Sequence, residues 1–481
     1  MKRFLLLAIP ALLILQEAMA QEPQKLTLQE CVKIALENNL KVMRGVFNVE
    51  SYEINLLQSW MAFLPTVNAG GAYSKNYGRA LNPVSNSFVN RNSNTINVQA
   101  SASVTLFNGL RIQNSLRQSL RDYASSTLDL TKAKNDVILN VVTNYITVIL
   151  NRELYENAQF QLNSSNEVLE RIKKQVAAGA LPLSNQFTQE AQVATNEVNS
   201  INQENALNFS LLQLKQSMQV PASTGIEPVI PDLQLEDTVL PLTPADIYQL
   251  ALLNMPEVKS AELKVESAEF GLKSSRGSLY PRLSLNGSAQ SNYSSISDGP
   301  RSSTLFTSPQ TVQVGYVQGT NTPVLQDGVS LPITTRISDN YPERAQLKDN
   351  LYKNINLQLS IPIFNGLQNR TNVQRAVVSK RLADITVQET QNTLRQSIET
   401  AYNDALAAAK TYSASLKSVK AQEEAYRMNK QRFELGALSF VEYHVSENDL
   451  FRARSDLSRA KYNFIFKKKI LDFYQGKQID F

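Results

Sequence analysis

The stretch VTLFNGL, residues 104–110, decides the fold because it joins two different sequence patterns. Before it, apolar and polar residues alternate from Ile96, which is the period of a β-strand with two unlike faces. After it, no proline or glycine interrupts the chain as far as residue 178, which favours one long helix. The segment Phe107-Asn108-Gly109 therefore predicts an abrupt change from strand to helix. Asn108 is expected to cap the helix, and Gly109 to allow the sharp turn.

The same junction occurs again as IPIFNGL, residues 361–367, and it belongs to a longer internal repeat. Further matches follow in the same order along both halves of the chain. They pair LTLQECVKIALENN at 26–39 with LTPADIYQLALLNM at 242–255, Pro65 with Pro281, Phe107-Asn108-Gly109 with Phe364-Asn365-Gly366, and Gly179-Ala180-Leu181 with Gly436-Ala437-Leu438. A repeat of this kind predicts one structural unit that is built twice.

Each half is predicted to contain a helix, two strands, a long helix and a return helix. The opening helices are expected over about 28–62 and 244–277. The first structural repeat, 21–219, has strands 67–77 and 96–107, long helix 109–177 and return helix 183–219. The second repeat, 244–481, has strands 283–293 and 355–364, long helix 366–434 and return helix 439–475. Residues 220–243, rich in proline, are predicted to form a linker.

Composition and the N-terminus narrow the class of protein. Lys2 and Arg3 precede an apolar run that ends in Ala18-Met19-Ala20, so residues 1–20 are predicted to be a signal peptide. The chain has one histidine, a formal net charge of +5, and no phosphate-binding or nucleophile motif. We therefore expect no enzyme, no cofactor, no metal site and no nucleic-acid partner.

The strands predict association of several chains. Four amphipathic strands of about ten residues match the length of tilted membrane strands, but four cannot close a barrel. An open sheet in lipid would leave two rows of backbone groups unpaired. Two chains would give eight strands and a barrel filled by its own side chains, whereas three would leave a lumen. A soluble β-sandwich carried on helical stalks is the alternative.

These features, together with RFELGALSFVEYHVSENDL at 432–450, resemble the TolC-like outer membrane efflux proteins. The resemblance implies a mixed α/β membrane protein with internal duplication. It implies a homotrimer whose twelve-stranded transmembrane β-barrel, with four strands per protomer, lies in the cell outer membrane. The barrel would continue into a long periplasmic α-helical coiled-coil barrel.

The resemblance also implies a function. The protein would be the outer membrane exit duct of a tripartite efflux or secretion system. It would passively export substrates that an inner-membrane pump and a periplasmic adaptor (membrane fusion) protein hand over. Drugs, metal ions and polypeptides remain equally open as cargo, because selection lies with the pump.

The resemblance assigns roles to particular residues. Glu442 matches an acidic position of the family's periplasmic gate, although it is equally consistent with an ordinary carboxylate at a helix start. Phe107 and Phe364 are expected near the membrane boundary, with their strand–helix junctions. The adaptor-binding tips would be Gly179, Ala180, Leu181, Pro182, Gly436, Ala437, Leu438 and Ser439.

Two rival functions remain open from the sequence. One is a structural coiled-coil envelope protein without transport, and the other is a general porin. A conducting species in planar bilayers would argue against the first. The long helices argue against the second, because a porin needs no adaptor.

Overall fold

The computed structural model describes residues 24–82, 87–230, 242–297, 301–338 and 340–477. The predicted signal peptide, 1–20, lies outside the described residues, as do residues 231–241 of the predicted linker. Within the described part of the chain, no helix combines the length and the apolar character needed to cross a membrane.

Long helices dominate the described residues. In chain order they are α1 (Leu28–Asn38), α2 (Leu40–Met61), α3 (Arg111–Ala177), α4 (Leu183–Met218), α5 (Pro244–Asn254), α6 (Pro256–Gly277), α7 (Glu343–Asp349), α8 (Gln368–Glu434) and α9 (Phe440–Tyr474). Both α3 and α8 have 67 residues, so each is about 100 Å long at 1.5 Å per residue.

The strands are shorter, and most are antiparallel. They are β1 (Gln24–Leu26), β2 (Thr66–Asn76), β3 (Arg79–Asn82), β4 (Ser87–Asn90), β5 (Ser93–Phe107), β6 (Ile226–Pro228), β7 (Arg282–Ser294), β8 (Arg301–Phe306), β9 (Gln310–Tyr316), β10 (Pro323–Val329), β11 (Pro332–Ser338) and β12 (Tyr352–Ser360).

The opening helix of each repeat is broken, whereas the sequence pattern indicated one helix. Asn39 has extended backbone angles between α1 and α2, and its side chain accepts a hydrogen bond from the Lys41 N–H at 2.9 Å. Met255 has the same conformation between α5 and α6. It precedes Pro256, and a residue before proline is disfavoured in the helical region. The break therefore occurs at the same place in both repeats for two different local reasons.

The chain divides into two compact units. The helical unit comprises Met1–Leu56, Gln118–Glu269 and Val378–Phe481. In its largest core, α1, the middle of α3 and the end of α4 pack around the fully buried residues Ala35, Val141 and Leu214. β1 pairs in parallel with β6, so part of the predicted linker is tied to the start of the chain. A second core of the unit joins α5, α8 and α9 around Ile247 and Ile398.

The sheet unit comprises Leu57–Arg117 and Phe270–Val377. Its main sheet has the order β12–β7–β5–β2, and all its pairs are antiparallel. β5 of the first repeat pairs with β7 of the second, which places β2 and β12 at the two edges. The sequence segment between β7 and β12 contains β9 paired with β10, β8 paired with β11, and α7.

The two faces of this sheet differ in chemistry. Directly paired residues share a face. One face presents Val67, Ala102, Gly287 and Ile355 in one row, and Leu285 and Leu357 in another. The opposite face presents Asn68, Ser101, Ser288 and Asn354 in one row, and Thr66, Ser103, Asn286 and Asn356 in the next. The sheet is therefore apolar on one face and hydroxyl- and amide-rich on the other.

The bounds of the last strand and the starts of both long helices differ from the sequence prediction. The strand predicted over 355–364 spans Tyr352–Ser360, and it ends before Pro362, which has no N–H to donate to a ladder. The long helices, predicted from 109 and 366, begin at Arg111 and Gln368. The two residues that follow each junction asparagine, Gly109-Leu110 and Gly366-Leu367, have positive φ and cannot belong to a right-handed helix.

Candidate functional site: the helix tips and the strand–helix junctions

Each long helix ends at a glycine turn with the same backbone geometry. The Ala180 N–H donates to the Gln175 carbonyl at 2.9 Å, and the Gly179 N–H donates to the Val176 carbonyl at 2.9 Å. Ala437 and Gly436 repeat this pair of bonds in the second repeat, at 2.8 and 3.0 Å. Both glycines have φ near +72°, as a Schellman cap requires. The sequence repeat thus encodes two helix ends of one shape.

The two tips lie together in the helical unit. A cavity of about 490 Å³ lies between them. It is lined by Gln175, Ala180, Leu181 and Asn185 from the first tip, and by Phe433, Glu434, Gly436, Leu438, Ser439, Phe440 and Val441 from the second. The predicted tip residues of the two repeats therefore form one continuous surface.

Exposed apolar side chains surround these turns. Leu435 is 83% exposed and Val441 63%, while Phe187 on α4 is 60% exposed. Water-exposed apolar groups concentrated in one place indicate a surface that meets another molecule. The sequence prediction named the turn residues but missed these three. Their positions in the sequence, next to the glycine turns, were a possible signal. Periodicity, however, does not tell which face of a helix remains uncovered.

An aromatic cluster fixes the second tip. The rings of Phe433 and Tyr443 stack with centroids 4.8 Å apart, and Phe433 also contacts Phe440. Phe440 and Tyr443 are buried against Val168 and Ile172 of α3. Burial raises the pKa of the Tyr443 hydroxyl above its ordinary value. The packing of these side chains joins α8, α9 and α3.

Glu442 caps the start of α9. Its carboxylate accepts hydrogen bonds from the Ser439 hydroxyl at 2.8 Å and from the Ser439 N–H at 3.2 Å. The Glu442 N–H donates in return to the Ser439 hydroxyl, which completes a capping box. These bonds lower the pKa of the Glu442 carboxyl from its ordinary value. Glu442 is exposed, so its charge is available at the tip as well as to the cap.

A second carboxylate near the tip is buried. Glu447 is 3% exposed and accepts a hydrogen bond from the Ser164 hydroxyl of α3 at 3.0 Å. His444 Nδ1 lies 3.3 Å from Glu447 Oε2, a contact that becomes an ion pair only when the imidazole is protonated. Next to it, Gln161 donates to Asn448 at 3.2 Å. These polar contacts extend the attachment of α9 to α3 beyond the aromatic cluster.

The strand–helix junctions belong to the sheet unit. The side-chain oxygen of Asn108 accepts hydrogen bonds from the backbone N–H groups of Arg111 and Ile112, at 3.1 and 3.4 Å. Asn365 accepts one from Asn369 at 3.5 Å. Both asparagines thus reach the first turn of a long helix across a left-handed two-residue turn. Phe107 is the last residue of β5, whereas Phe364 lies four residues after the end of β12. Both side chains are exposed.

The duplicated architecture matches a known family along most of the chain. The family model for the outer membrane efflux protein matches residues 31–218 and 247–465, which are the two repeats. This chain belongs to the outer membrane efflux protein family. The resemblance drawn from the sequence and the internal duplication are confirmed, and the location is the outer membrane.

Relatives of this outer membrane efflux protein have low sequence identity to it, but the similarity extends over most of the chain. It is 24% identical over 434 residues to the solvent efflux pump outer membrane protein SrpC of Pseudomonas putida, with 88% of this chain and 79% of that protein covered. Its structure is similar to that of CusC, with a TM-score of 0.72 at 15% identity over 94% of this chain and 92% of that chain. It is similar to that of VceC from Vibrio cholerae, with a TM-score of 0.72 at 11% identity over 94% and 97% of the two chains.

Proposed function

We propose that this outer membrane efflux protein is the passive exit duct of a tripartite efflux system. Three copies form one tube, which crosses the outer membrane as a twelve-stranded barrel and continues through the periplasm as a helical barrel. A periplasmic adaptor binds the tips and links the tube to an inner-membrane pump. The duct carries no catalytic step of its own, and the pump supplies the energy.

The observation that carries this proposal is the sheet with two unlike faces and two open edges. Its apolar face suits contact with lipid, and its hydroxyl- and amide-rich face suits a water-filled interior. Each of the edge strands β2 and β12 is paired on one side only within the described residues, and the unpaired backbone groups of the outer edges are costly in lipid. Since neighbouring strands alternate in direction, β12 of one copy can pair antiparallel with β2 of the next.

The helices next to these edges support the same assembly. α2, which leads into β2, exposes an apolar seam with the spacing of a coiled coil: Leu40, Met43, Phe47, Ile54, Leu57 and Met61. α8, which follows β12, exposes Val378, Leu382 and Ile385 at the same spacing. Both seams are exposed among the described residues. A neighbouring copy would bring an α2 seam against an α8 seam.

The number of copies follows from the use as a duct. Two chains would supply eight strands, and a barrel of that size is filled by its own side chains. Three supply twelve and leave a lumen. The wall would carry few fixed charges. Arg282, which donates to the Thr105 hydroxyl at 3.2 Å, is the one charged residue on the polar face of the sheet among the described residues.

The tips are proposed to bind the adaptor and to form the gate. The exposed Leu435, Val441 and Phe187 supply apolar contact area next to Gly179–Pro182 and Gly436–Ser439. Three copies of Glu442 around one axis would form an acidic ring at the closed end. Contact with the adaptor would separate α9 from α3 and so open the tube.

Conductance in planar bilayers tests the duct. The wild type is expected to give a small, steady conductance that rises when the aromatic cluster at the tip is weakened by Phe433→Ala. Phe306→Ala, at an exposed position of β8 in the sheet unit, is the matched control and should leave the conductance unchanged. The absence of conductance in every variant would favour the structural envelope protein. A large conductance that no tip variant alters would favour the general porin.

Adaptor binding needs a separate experiment. A periplasmic adaptor protein of a tripartite efflux system is the probe, and its binding to the purified protein in detergent is measured. Leu435→Glu and Val441→Glu are expected to weaken binding at least tenfold. Burying a charge in an apolar contact costs more free energy than the apolar side chain contributes to binding. Leu305→Glu, exposed on β8 of the sheet unit, is the control. Equal binding by all three would contradict the assignment of the tips.

A further inference from the structure

The helix ends next to the main sheet carry five arginines that have no acidic partner among the described residues. Residues 54–117, 270–297 and 350–377 contain no aspartate and no glutamate. Five exposed arginines lie on the parts of α3, α6 and α8 that belong to the sheet unit: Arg111, Arg117, Arg276, Arg370 and Arg375. We call these five the arginine belt. None of them forms an ion pair with a carboxylate among the described residues.

The belt is narrow along the helices. Arg117 lies six residues after the start of α3, and Arg375 lies seven residues after the start of α8, which is about 10 Å at 1.5 Å per residue. Arg276 is next to the last residue of α6. A phospholipid headgroup layer is about 5–8 Å thick on each side of the hydrocarbon. The belt therefore has the depth of one headgroup layer plus the reach of an arginine side chain.

Exposed aromatic rings lie at the same helix ends. Trp60, the single tryptophan of the chain, is 53% exposed near the end of α2, and Tyr280 is 59% exposed between α6 and β7. Phe63 and Phe107 are also exposed there. Tryptophan and tyrosine favour the boundary between hydrocarbon and headgroups, so the rings mark the depth at which the arginines would meet phosphate.

The other end of the sheet unit has a different charge pattern. Asp327, Glu343 and Asp349 occur there among the cations. Within the sheet unit, acidic residues thus occur only in the segment between β7 and β12, and none occurs at the end at which the strands become helices. This asymmetry matches a surface for anions on one side of the membrane only.

We propose that the arginine belt binds the phosphate groups of anionic phospholipids in the leaflet on the helix side of the membrane. Guanidinium groups bind phosphate with two parallel N–H donors, and carboxylates nearby would compete for them. The belt would fix the depth and tilt of the sheet by binding headgroups around the tube. This inference rests on the proposed position of the sheet in the membrane, and the experiment separates the two.

Trp60 makes the inference measurable. The full-length protein is reconstituted in bilayers that contain either phosphatidylglycerol or phosphatidylethanolamine with brominated chains, and quenching of Trp60 gives the relative affinity for each lipid. The wild type is expected to prefer phosphatidylglycerol about fivefold or more, with the preference falling in 0.5 M salt. The triple variant R276Q/R370Q/R375Q should reduce the preference to about twofold or less.

A matched variant controls for the loss of net charge. K75Q/R79Q/K353Q removes three exposed cations from the opposite end of the main sheet and should retain the full preference. Equal quenching by both lipids in the wild type would overturn the inference, and so would a preference that survives the triple variant. Loss of the preference in the control variant would overturn it too, because net charge alone would then explain the effect.

Two further outcomes distinguish the inference from the proposed function. If neither brominated lipid quenches Trp60, the sheet does not lie in the bilayer, and the result contradicts the proposed function itself. If both quench it equally while the triple variant shifts the reversal potential of the channel, the arginines face the aqueous interior and bind soluble anions instead. Circular dichroism and the oligomeric state in detergent show that each variant is folded.

Discussion

Gly109 and Gly277 approach each other so closely that neither position has room for a side chain. A Cβ atom at Gly109 would lie 2.4 Å from the Gly277 carbonyl oxygen, and one at Gly277 would lie 2.7 Å from the Gly109 carbonyl oxygen. The junction of the first long helix is thus covered by the end of α6, from the other repeat. At Gly366, the repeat equivalent of Gly109, no atom of the described residues would lie within 4 Å of such a Cβ atom.

This asymmetry points to the neighbouring copy. The repeat relates Gly277 to Met61 at the end of α2, so the site that would cover Gly366 belongs to a second chain in the proposed tube. Within one chain, β5 and β7 join the first repeat to the second. The junction at Gly366 and the outer edge of β12 therefore remain available for contact with a neighbouring copy.

Gly277→Ala is expected to destabilise the protein although alanine is the better helix former. The added methyl group must displace backbone, and overpacking of this kind costs about 1–3 kcal/mol against a gain of about 1 kcal/mol in helix propensity. The measurement is the thermal unfolding midpoint of the detergent-solubilised protein. Gly287→Ala on β7, where the new atom would meet only one oxygen at 4.0 Å, is the control. An unchanged midpoint for Gly277→Ala would contradict the close approach.

The register between neighbouring copies can be predicted from the repeat. The pairing of Ala100 in β5 with Ala289 in β7 corresponds to a pairing of Leu357 in β12 with Tyr73 in β2 of the next copy. Cysteines at both positions are expected to form disulfide-linked oligomers up to the trimer on oxidation, seen on non-reducing gels.

The cross-linking control shifts one partner. Cysteines at Leu357 and Val67 are about 20 Å apart along the strand and should remain uncross-linked. The native Cys31 can be kept, because it is fully buried and its burial raises the pKa of its thiol to about 12. Efficient cross-linking of the shifted pair, or none of the first, would rule out this register.

The capping box at the second tip should depend on pH. Hydrogen bonds from Ser439 lower the pKa of the Glu442 carboxyl, so they stabilise the charged form. Their contribution is complete above the ordinary pKa of 4.5 and is lost as the pH falls through the lower pKa of the folded state. Hydrogen exchange of the backbone amides of residues 440–444, corrected for intrinsic rates, is expected to become faster as the pH falls below the pKa of Glu442 in the folded state.

Ser439→Ala isolates the effect of the box. It should accelerate exchange at the start of α9 severalfold at pH 7 and remove most of the pH dependence. The equivalent box of Thr243 and Asp246 at the start of α5 should be unaffected in this variant. If exchange at the tip were the same with and without Ser439, the cap would not stabilise the start of α9.

Tyr145→Phe tests the attachment of the linker to the helical unit. The Tyr145 hydroxyl is buried and donates to the Val229 carbonyl at 2.6 Å, just after β6. Loss of this bond should cost about 1–2 kcal/mol of unfolding free energy. Tyr402, its repeat equivalent on α8, is the control, because no hydrogen bond from its hydroxyl is found among the described residues. Equal effects of Tyr145→Phe and Tyr402→Phe on the unfolding free energy would show that the hydrogen bond to Val229 does not stabilise the attachment of the linker.

Much of this architecture could be predicted because it depends on neighbours in sequence. Alternation over 96–107 predicted a strand, and the glycines at 179 and 436 predicted the ends of the long helices. The opening helices were predicted without their breaks at Asn39 and Met255. Pro256 signals the second break, because a residue before proline is disfavoured in the helical region. Asparagine occurs both within helices and at their ends, so the extended conformation of Asn39 is seen only in the structure. The roles of the tip residues and Glu442 in adaptor binding and gating stay predictions.

The sequence alone determined the repeated succession of helix, strands and long helices, because periodicity, proline and glycine act over a few residues. Only the tertiary structure decided which apolar seams are covered. Ile398 and Ala405 on α8 are buried, whereas Ala194 and Ile201 on α4 have the same spacing of seven residues and are exposed. The physical reason is that a period sets which side chains share a face, while burial requires another element to lie against that face, and such an element comes from a distant part of the chain or from another copy.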